Sequence, residues 1–212
     1  MRKPRVLLAD DHTLIVDAFK KLLEPEFEIA ATVSNGRQLL QVAPQLKPDV
    51  ILIDIGMPLL NGMDAGEQIK GLLPSAKLIV LTMNEDYELA SKALRSWASG
   101  YLLKSSAGSE LVYAIREALR GRTYVTPRIA ERREEEFIRD PRPDRVKNLT
   151  VRQREVLQLL AEGCSMKEAA NLLTVATRTI AFHKYRIMAE FGLKTNSDLI
   201  KFAIKENLLR SA

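Results

Sequence analysis

Cysteine occurs once in these 212 residues, as Cys164, which excludes an internal disulfide and any multi-cysteine metal site. Histidine is nearly as scarce, and His12 and His183 lie too far apart in the chain to suggest a zinc site. No apolar run approaches the roughly 18 residues of a membrane span. The first such run, Val6-Leu7-Leu8-Ala9, is shorter than the roughly 7–15 residues at the heart of a secretion signal and ends in two aspartates. Export and membrane insertion are therefore not expected, and the expected location is cytoplasmic.

What is present suits a soluble globular chain: 46% hydrophobic and 28% charged residues. The length allows one large domain or two ordinary ones, either with a sizeable core. The net charge of +5 is unevenly spread. Residues 1–126 carry 15 basic and 15 acidic side chains, residues 127–147 carry 7 and 6, and residues 148–212 carry 10 and 6. The positive excess lies in the last third, where a polyanionic partner is most plausible.

Organisation follows the same division. Through residue 126, short apolar runs at 5–9, 29–33, 50–53, 78–81 and 101–103 alternate with helically spaced stretches at 14–23, 36–45, 62–72, 87–96 and 109–120. Strands without polar alternation, separated by amphipathic helices, imply a parallel sheet covered on both faces. The fold class is α/β, a doubly wound five-stranded parallel sheet, whose function gathers at the carboxyl ends of the strands. Residues 123–147 are densely charged and contain Asp140-Pro141-Arg142-Pro143, so they read as a short exposed helix and a linker. From Leu149 on, every segment is helical: 151–161 capped by Thr150, 166–173 capped by Ser165, 177–191 stopped by Gly192, and 196–207. The division is thus 1–122, 123–147 and 148–212, the last a small all-α domain of four helices.

The strand ends of the first domain carry chemistry. Asp10-Asp11 closes the first strand, Asp54 the third, Thr82 the fourth and Lys104 the fifth. Three carboxylates in a small volume repel one another unless a cation joins them, and oxygen ligands alone favour a hard ion such as Mg²⁺. A hydroxyl and a lysine beside them suit a phosphoryl group, with one carboxylate as nucleophile. Residues 4–122 resemble a CheY-type receiver through Asp10-Asp11, Asp54-Ile55-Gly56-Met57-Pro58 with Gly62, Thr82, and Tyr101-Leu102-Leu103-Lys104. The resemblance implies that Asp54 accepts a phosphoryl group from a histidine kinase. It implies that Asp10, Asp11, Asp54 and the carbonyl of Gly56 hold Mg²⁺. Thr82 would bond the phosphoryl group, and Tyr101 would then turn inward. His12 is expected to face solvent outside the metal set. Trp97 admits two readings, an exposed partner anchor or a ring laid over local apolar surface.

In the last domain, Ala169-Ala170 allows two helices to cross closely, and Ile180, Ile187 and Phe191 give the third helix an apolar face. The ordered pattern over about 149–205 resembles the LuxR-type helix-turn-helix of NarL/FixJ response regulators. That resemblance implies double-stranded DNA as a partner, with Arg178, Thr179, Ala181, Phe182, His183, Lys184, Tyr185 and Arg186 as candidate contacts. Ala181, Phe182 and Tyr185 would face base edges, whereas Thr179, His183, Lys184 and Arg186 would meet phosphates or hold the helix in place. Ala176 departs from the family's Ser or Thr cap. Leu199, Phe202 and Ala203 on the last helix are a candidate dimer surface.

Together these features predict a two-component response regulator, in which phosphorylation of Asp54 controls homodimerisation, DNA binding and transcription. The receiver is expected to catalyse only its own phosphotransfer and slow autodephosphorylation. A phosphatase of the haloacid-dehalogenase type would need a second carboxylate two residues after its nucleophile, where this chain has Gly56. An interaction module indifferent to phosphate would not need the Asp, Thr and Lys set.

Overall fold

The computed structural model describes residues 2–136, 149–206 and 208–209. The chain divides into two compact units, the first built from residues 1–57 and 62–141, the second chiefly from 142–212. In the first, β1 (Arg5–Ala9), β2 (Glu28–Val33), β3 (Val50–Asp54), β4 (Lys77–Thr82) and β5 (Gly100–Leu103) alternate with α1 (Thr13–Leu23), α2 (Gly36–Leu46), α3 (Gly62–Leu72), α4 (Tyr87–Ser96) and α5 (Ala107–Leu119). The strands run parallel in the order β2-β1-β3-β4-β5, so β1 and β3 are neighbours, with Ala9 opposite Ile53. Right-handed crossovers in that order put α1 and α5 on one face of the sheet and α2, α3 and α4 on the other. Both faces being covered, β3 is buried at every position, which explains its lack of polar alternation. On the α1/α5 face, Val6, Leu8, Leu52 and Leu81 form one core with Val16, Phe19, Leu23, Leu111 and Ile115.

The sheet has six strands rather than five. β6 (Tyr124–Val125) pairs with Gly100 and Tyr101 at the edge of β5 and leads into α6 (Pro127–Glu136). It falls where the charged helix and linker were expected to begin. Two residues leave no readable periodicity, and the strand depends instead on Thr126. Its backbone N–H donates to the Tyr101 carbonyl at 3.0 Å. Its hydroxyl accepts from the Leu103 N–H at 3.2 Å and donates to the Glu110 carboxylate at 2.8 Å. Arg128, at the start of α6, pairs with Glu85 in the β4–α4 loop at 2.9 Å. The Asp140–Pro143 part of the expected linker lies outside the described residues.

Trp97 is only 6% exposed, so the exposed-anchor reading is excluded. Its six-membered ring occupies a notch left by Gly66 of α3, where a Cβ would come within 2.5 Å of the ring.

The second unit holds α7 (Val151–Ala161), α8 (Met166–Leu173), α9 (Thr177–Phe191) and α10 (Asn196–Lys205). Three of these helices start with a reciprocal capping box: Thr150 with Gln153, Ser165 with Glu168, and Thr195 with Asp198. Hydrogen bonds to these caps hold the Glu168 and Asp198 carboxyls below the usual carboxylate range. The α9 cap position, Ala176, makes no side-chain cap bond. Leu199, Phe202 and Ala203 are buried with Leu149, Leu157 and Ile187 in the core of this unit. They cannot be the dimer surface expected of them, because the apolar face of α10 is spent within its own unit. Among the described residues no helix is long and apolar enough to cross a membrane.

Two stability changes follow. The Gly62 N–H donates to Ile55 O at 2.8 Å, and a Cβ at Gly62 would stand 2.1 Å from the Asp54 carbonyl oxygen. Gly62→Ala should therefore cost about 3 kcal/mol, as for overpacking against atoms that cannot move aside. Chemical denaturation checks this through the midpoint of the first unit. Conversely, Ala176→Ser supplies the missing cap and should stabilise the second unit by about 1 kcal/mol, seen as a raised melting temperature.

Candidate functional site

The carboxyl ends of β1, β3, β4 and β5 meet at one rim of the sheet, and each brings a residue singled out from the sequence. Asp54 is the last residue of β3 and is 1% exposed; Asp10 follows β1 and is also buried. Lys104 follows β5, and its backbone N–H donates to the Thr82 carbonyl at 2.8 Å. Its ammonium, 8% exposed as a residue, lies 2.7 Å from Asp10 Oδ2 and 3.1 Å from Asp54 Oδ2. One cation thus bridges two buried carboxylates from separate strands. Removing a partner from such a buried pair leaves an uncompensated charge in low dielectric.

Asp11 completes the acidic group at the more exposed side. Asp10, Asp11, His12 and Asp54 can each direct a ligand atom into a space where these atoms lie within 4.8 Å of one another. Three carboxylates against one ammonium leave two negative charges uncompensated, and a divalent cation would balance them. The oxygen donors fit a hard ion. Gly56 lies in the turn after β3. His12 keeps much of its side chain in solvent, as expected, while its Nδ1 lies 3.0 Å from Asp10 Oδ1 and 3.2 Å from Asp11 Oδ1. Its backbone N–H donates to the same Asp10 oxygen at 2.9 Å. A histidine directly after two acids at a strand end was the available signal, and the turn into α1 is what folds it back.

Thr82 starts a chain of short links into α4. Its hydroxyl oxygen accepts from the Asn84 N–H at 3.0 Å, the Asn84 side-chain oxygen accepts from the Asp86 N–H at 2.8 Å, and Asp86 caps α4 through Glu88 and Leu89. Sequence reading missed the positioning role of Asp86, although an acid just before a helical stretch is a cap signal. Tyr101 is fully buried, and its hydroxyl donates to the Asn84 carbonyl at 3.3 Å. Burial, and then the charge of Asp86, push the phenol well above its usual range against the opposing effect of a hydrogen bond with Thr82, so the ring stays neutral. Tyr101 points inward in this structure. Tyr101 is held there by its packing and by the β4–α4 loop.

In the second unit, Ile180 and Ile187 are buried and anchor α9 to its neighbours. At about 100° per residue, Arg178, Phe182 and Tyr185 fall on the opposite side, and all are exposed. Arg186 is also exposed, and Ala181 and Thr179 are half-buried on either flank. Lys184 is half-buried, with its ammonium 5.6 Å from the centre of the Tyr185 ring. His183 turns away from the open face into a cleft lined by Thr150, Gln153, Arg186 and Glu190. Its Nδ1 is buried with no hydrogen-bond partner among the described residues. Burial first, then the charges of Arg152 and Arg186, lower the His183 pKa and favour the neutral ring. Of the two roles left open for His183, holding the helix in place is the one this geometry supports.

A parallel α/β unit with an acid–lysine pocket at its strand ends, joined to four helices with a cationic and aromatic third helix, defines a class. Residues 6–116 match the family described as the response regulator receiver domain, and residues 147–203 match the bacterial regulatory proteins of the luxR family. The chain belongs to the response regulators: it is a two-component transcription regulator with a receiver and a LuxR-type DNA-binding domain. Over 97% of its length it is 34% identical to the oxygen regulatory protein NreC of Staphylococcus aureus, covering 99% of that protein. Among solved structures it is similar to the response regulator RcsB of Salmonella typhimurium, with a TM-score of 0.65 and 26% identity over 97% of this chain and 99% of the other. RcsB in complex with DNA gives a TM-score of 0.60 at the same identity and coverage.

The environment of His183 sets a pH dependence. Its folded pKa lies below the ordinary 6.5, so the unfolded chain takes up the proton first as the solution is acidified. The stabilisation is complete above about pH 6.5 and is lost as pH falls towards the folded value. Thermal melting of the second unit between pH 7.5 and 5.5 should show this loss, and His183→Gln should flatten the curve.

Proposed function

We propose that Asp54 is the phosphoryl acceptor and that its modification, by a histidine kinase in the cytoplasm, switches this chain between weak and strong DNA binding. One observation carries the reading: the Lys104 ammonium lies between the buried carboxylates of Asp10 and Asp54, on the same rim as Thr82. In the reaction, an Asp54 oxygen attacks phosphorus, the phosphorus–nitrogen bond to the kinase histidine breaks, and an acyl phosphate forms. Mg²⁺, held by Asp10, Asp11, Asp54 and the Gly56 carbonyl, would supply the positive charge that a phosphoryl group needs in a pocket of acids. Lys104 would then move its pairing from Asp54 to a phosphoryl oxygen.

The Thr82 hydroxyl is the lever. Drawn to the new phosphoryl group, it gives up the Asn84 N–H, and the Asn84–Asp86 links carry that loss to the start of α4. Arg128 extends the same disturbance to α6 through Glu85. Such a shift would favour a homodimer that places two copies of α9 on DNA. RcsB has been solved as two dimers on two parallel DNAs, which supports a dimeric output. Apart from its own phosphoryl transfer and hydrolysis, the chain is proposed to have no enzymatic turnover, since Gly56 stands where a phosphatase of similar chemistry has its acid.

Incubation with labelled acetyl phosphate and Mg²⁺ should place one phosphoryl group on each chain and none on Asp54→Asn. Promoter occupancy should rise only in the labelled protein. Equal labelling of the variant would remove Asp54 from this role.

A further inference from the structure

The outward side of α9 carries large apolar rings as well as cations. Phe182 and Tyr185 are large apolar side chains left 58% and 60% exposed, three residues apart on one side of the helix. Half-buried Ala181 flanks them, and Arg178 lies one turn towards the N-terminus. The Phe182 ring also meets His183 edge-on at 5.4 Å, so it is braced rather than free to fold away. The Lys184 ammonium lies 5.6 Å from the centre of the Tyr185 ring, at the margin of this apolar pair.

Equally telling is what α9 does not contain. Base pairs are distinguished in the major groove by bidentate Asn or Gln on adenine, Asp or Glu on cytosine, Arg or Lys on guanine, and apolar contact with the thymine methyl. Between Thr177 and Phe191 there is no Asn, Gln or Asp, and the one Glu, Glu190, lies at the far end of the helix. Bidentate readout of adenine by an amide, or of cytosine by a carboxylate, is therefore missing from its central turns. For an A·T pair the C5-methyl of thymine is the feature that the exposed Phe182 and Tyr185 rings suit.

Building on the DNA-binding reading, we propose that this chain selects A·T pairs through thymine methyl groups, with Phe182 as the contact that decides specificity. Ala181 and Tyr185 complete the apolar surface, and Arg178 takes a guanine beyond it. Affinity for phosphate is then supplied by cations at the margin, and sequence choice by an apolar centre.

The test uses the full-length protein with acetyl phosphate and Mg²⁺. Duplexes are enriched from a random library, and each thymine of the enriched site is replaced in turn by deoxyuracil. That exchange removes only the methyl group and leaves pairing intact. At one or two positions in each half-site binding should weaken about four-fold, the factor that burying one methyl group supplies. Phe182→Ala should bind thymine and deoxyuracil duplexes equally, whereas Phe182→Leu should keep the preference. Phe182 is exposed, so both variants should match the parent circular dichroism. Indifference to deoxyuracil at every position, or an undiminished preference in Phe182→Ala, overturns the proposal while leaving DNA binding intact. Failure to enrich any duplex removes the DNA-binding reading as well.

Discussion

The receiver depends on a charge balance achieved at the end of its sheet. A lysine ammonium held within 2.7 Å of one buried carboxylate and 3.1 Å of another is stable only because the strands fix all three groups in place. The parallel order that makes β1 and β3 neighbours brings the two acids together, and β4 and β5 bring the hydroxyl and the amine alongside. Register is what matters here. A one-residue slip of β5 would send Lys104 to the opposite face and leave the acids to repel each other. The covered sheet and its uniformly apolar strands are, in this sense, the support for a small electrostatic device.

The second unit solves a different problem by separating duties around one helix. The buried isoleucines of α9 hold it to the bundle, His183 fills a cleft against α7 as a neutral ring, and the far side is left to meet a partner. The three capping boxes fix where the other helices begin. Alone among the four, α9 lacks a side-chain cap, so the helix that faces outward has the least secure start.

Much of this was legible because the signals were local and repeated. Strand ends marked by Asp54, Thr82 and Lys104, and caps marked by Thr150 and Ser165, fall where patterning put them. The misses are tertiary. β6 consists of two residues held by hydrogen bonds from Thr126 to β5 and α5, and no run of side chains announces it. The pairing of His12 with the acids, made while its ring stays partly in solvent, depends on the backbone turn into α1. The apolar side of α10 could have served a dimer or a core, and only packing decides between them.

The notch at Gly66 has a spectroscopic consequence. Trp97 is the chain's one tryptophan, and it lies at the C-terminal end of α4 with its ring enclosed by α3. Its fluorescence therefore originates inside the receiver, with no indole signal from the helical unit to mask it. Emission from an apolar setting reddens when water enters, so opening of the α3–α4 seam carries its own optical marker in the native chain.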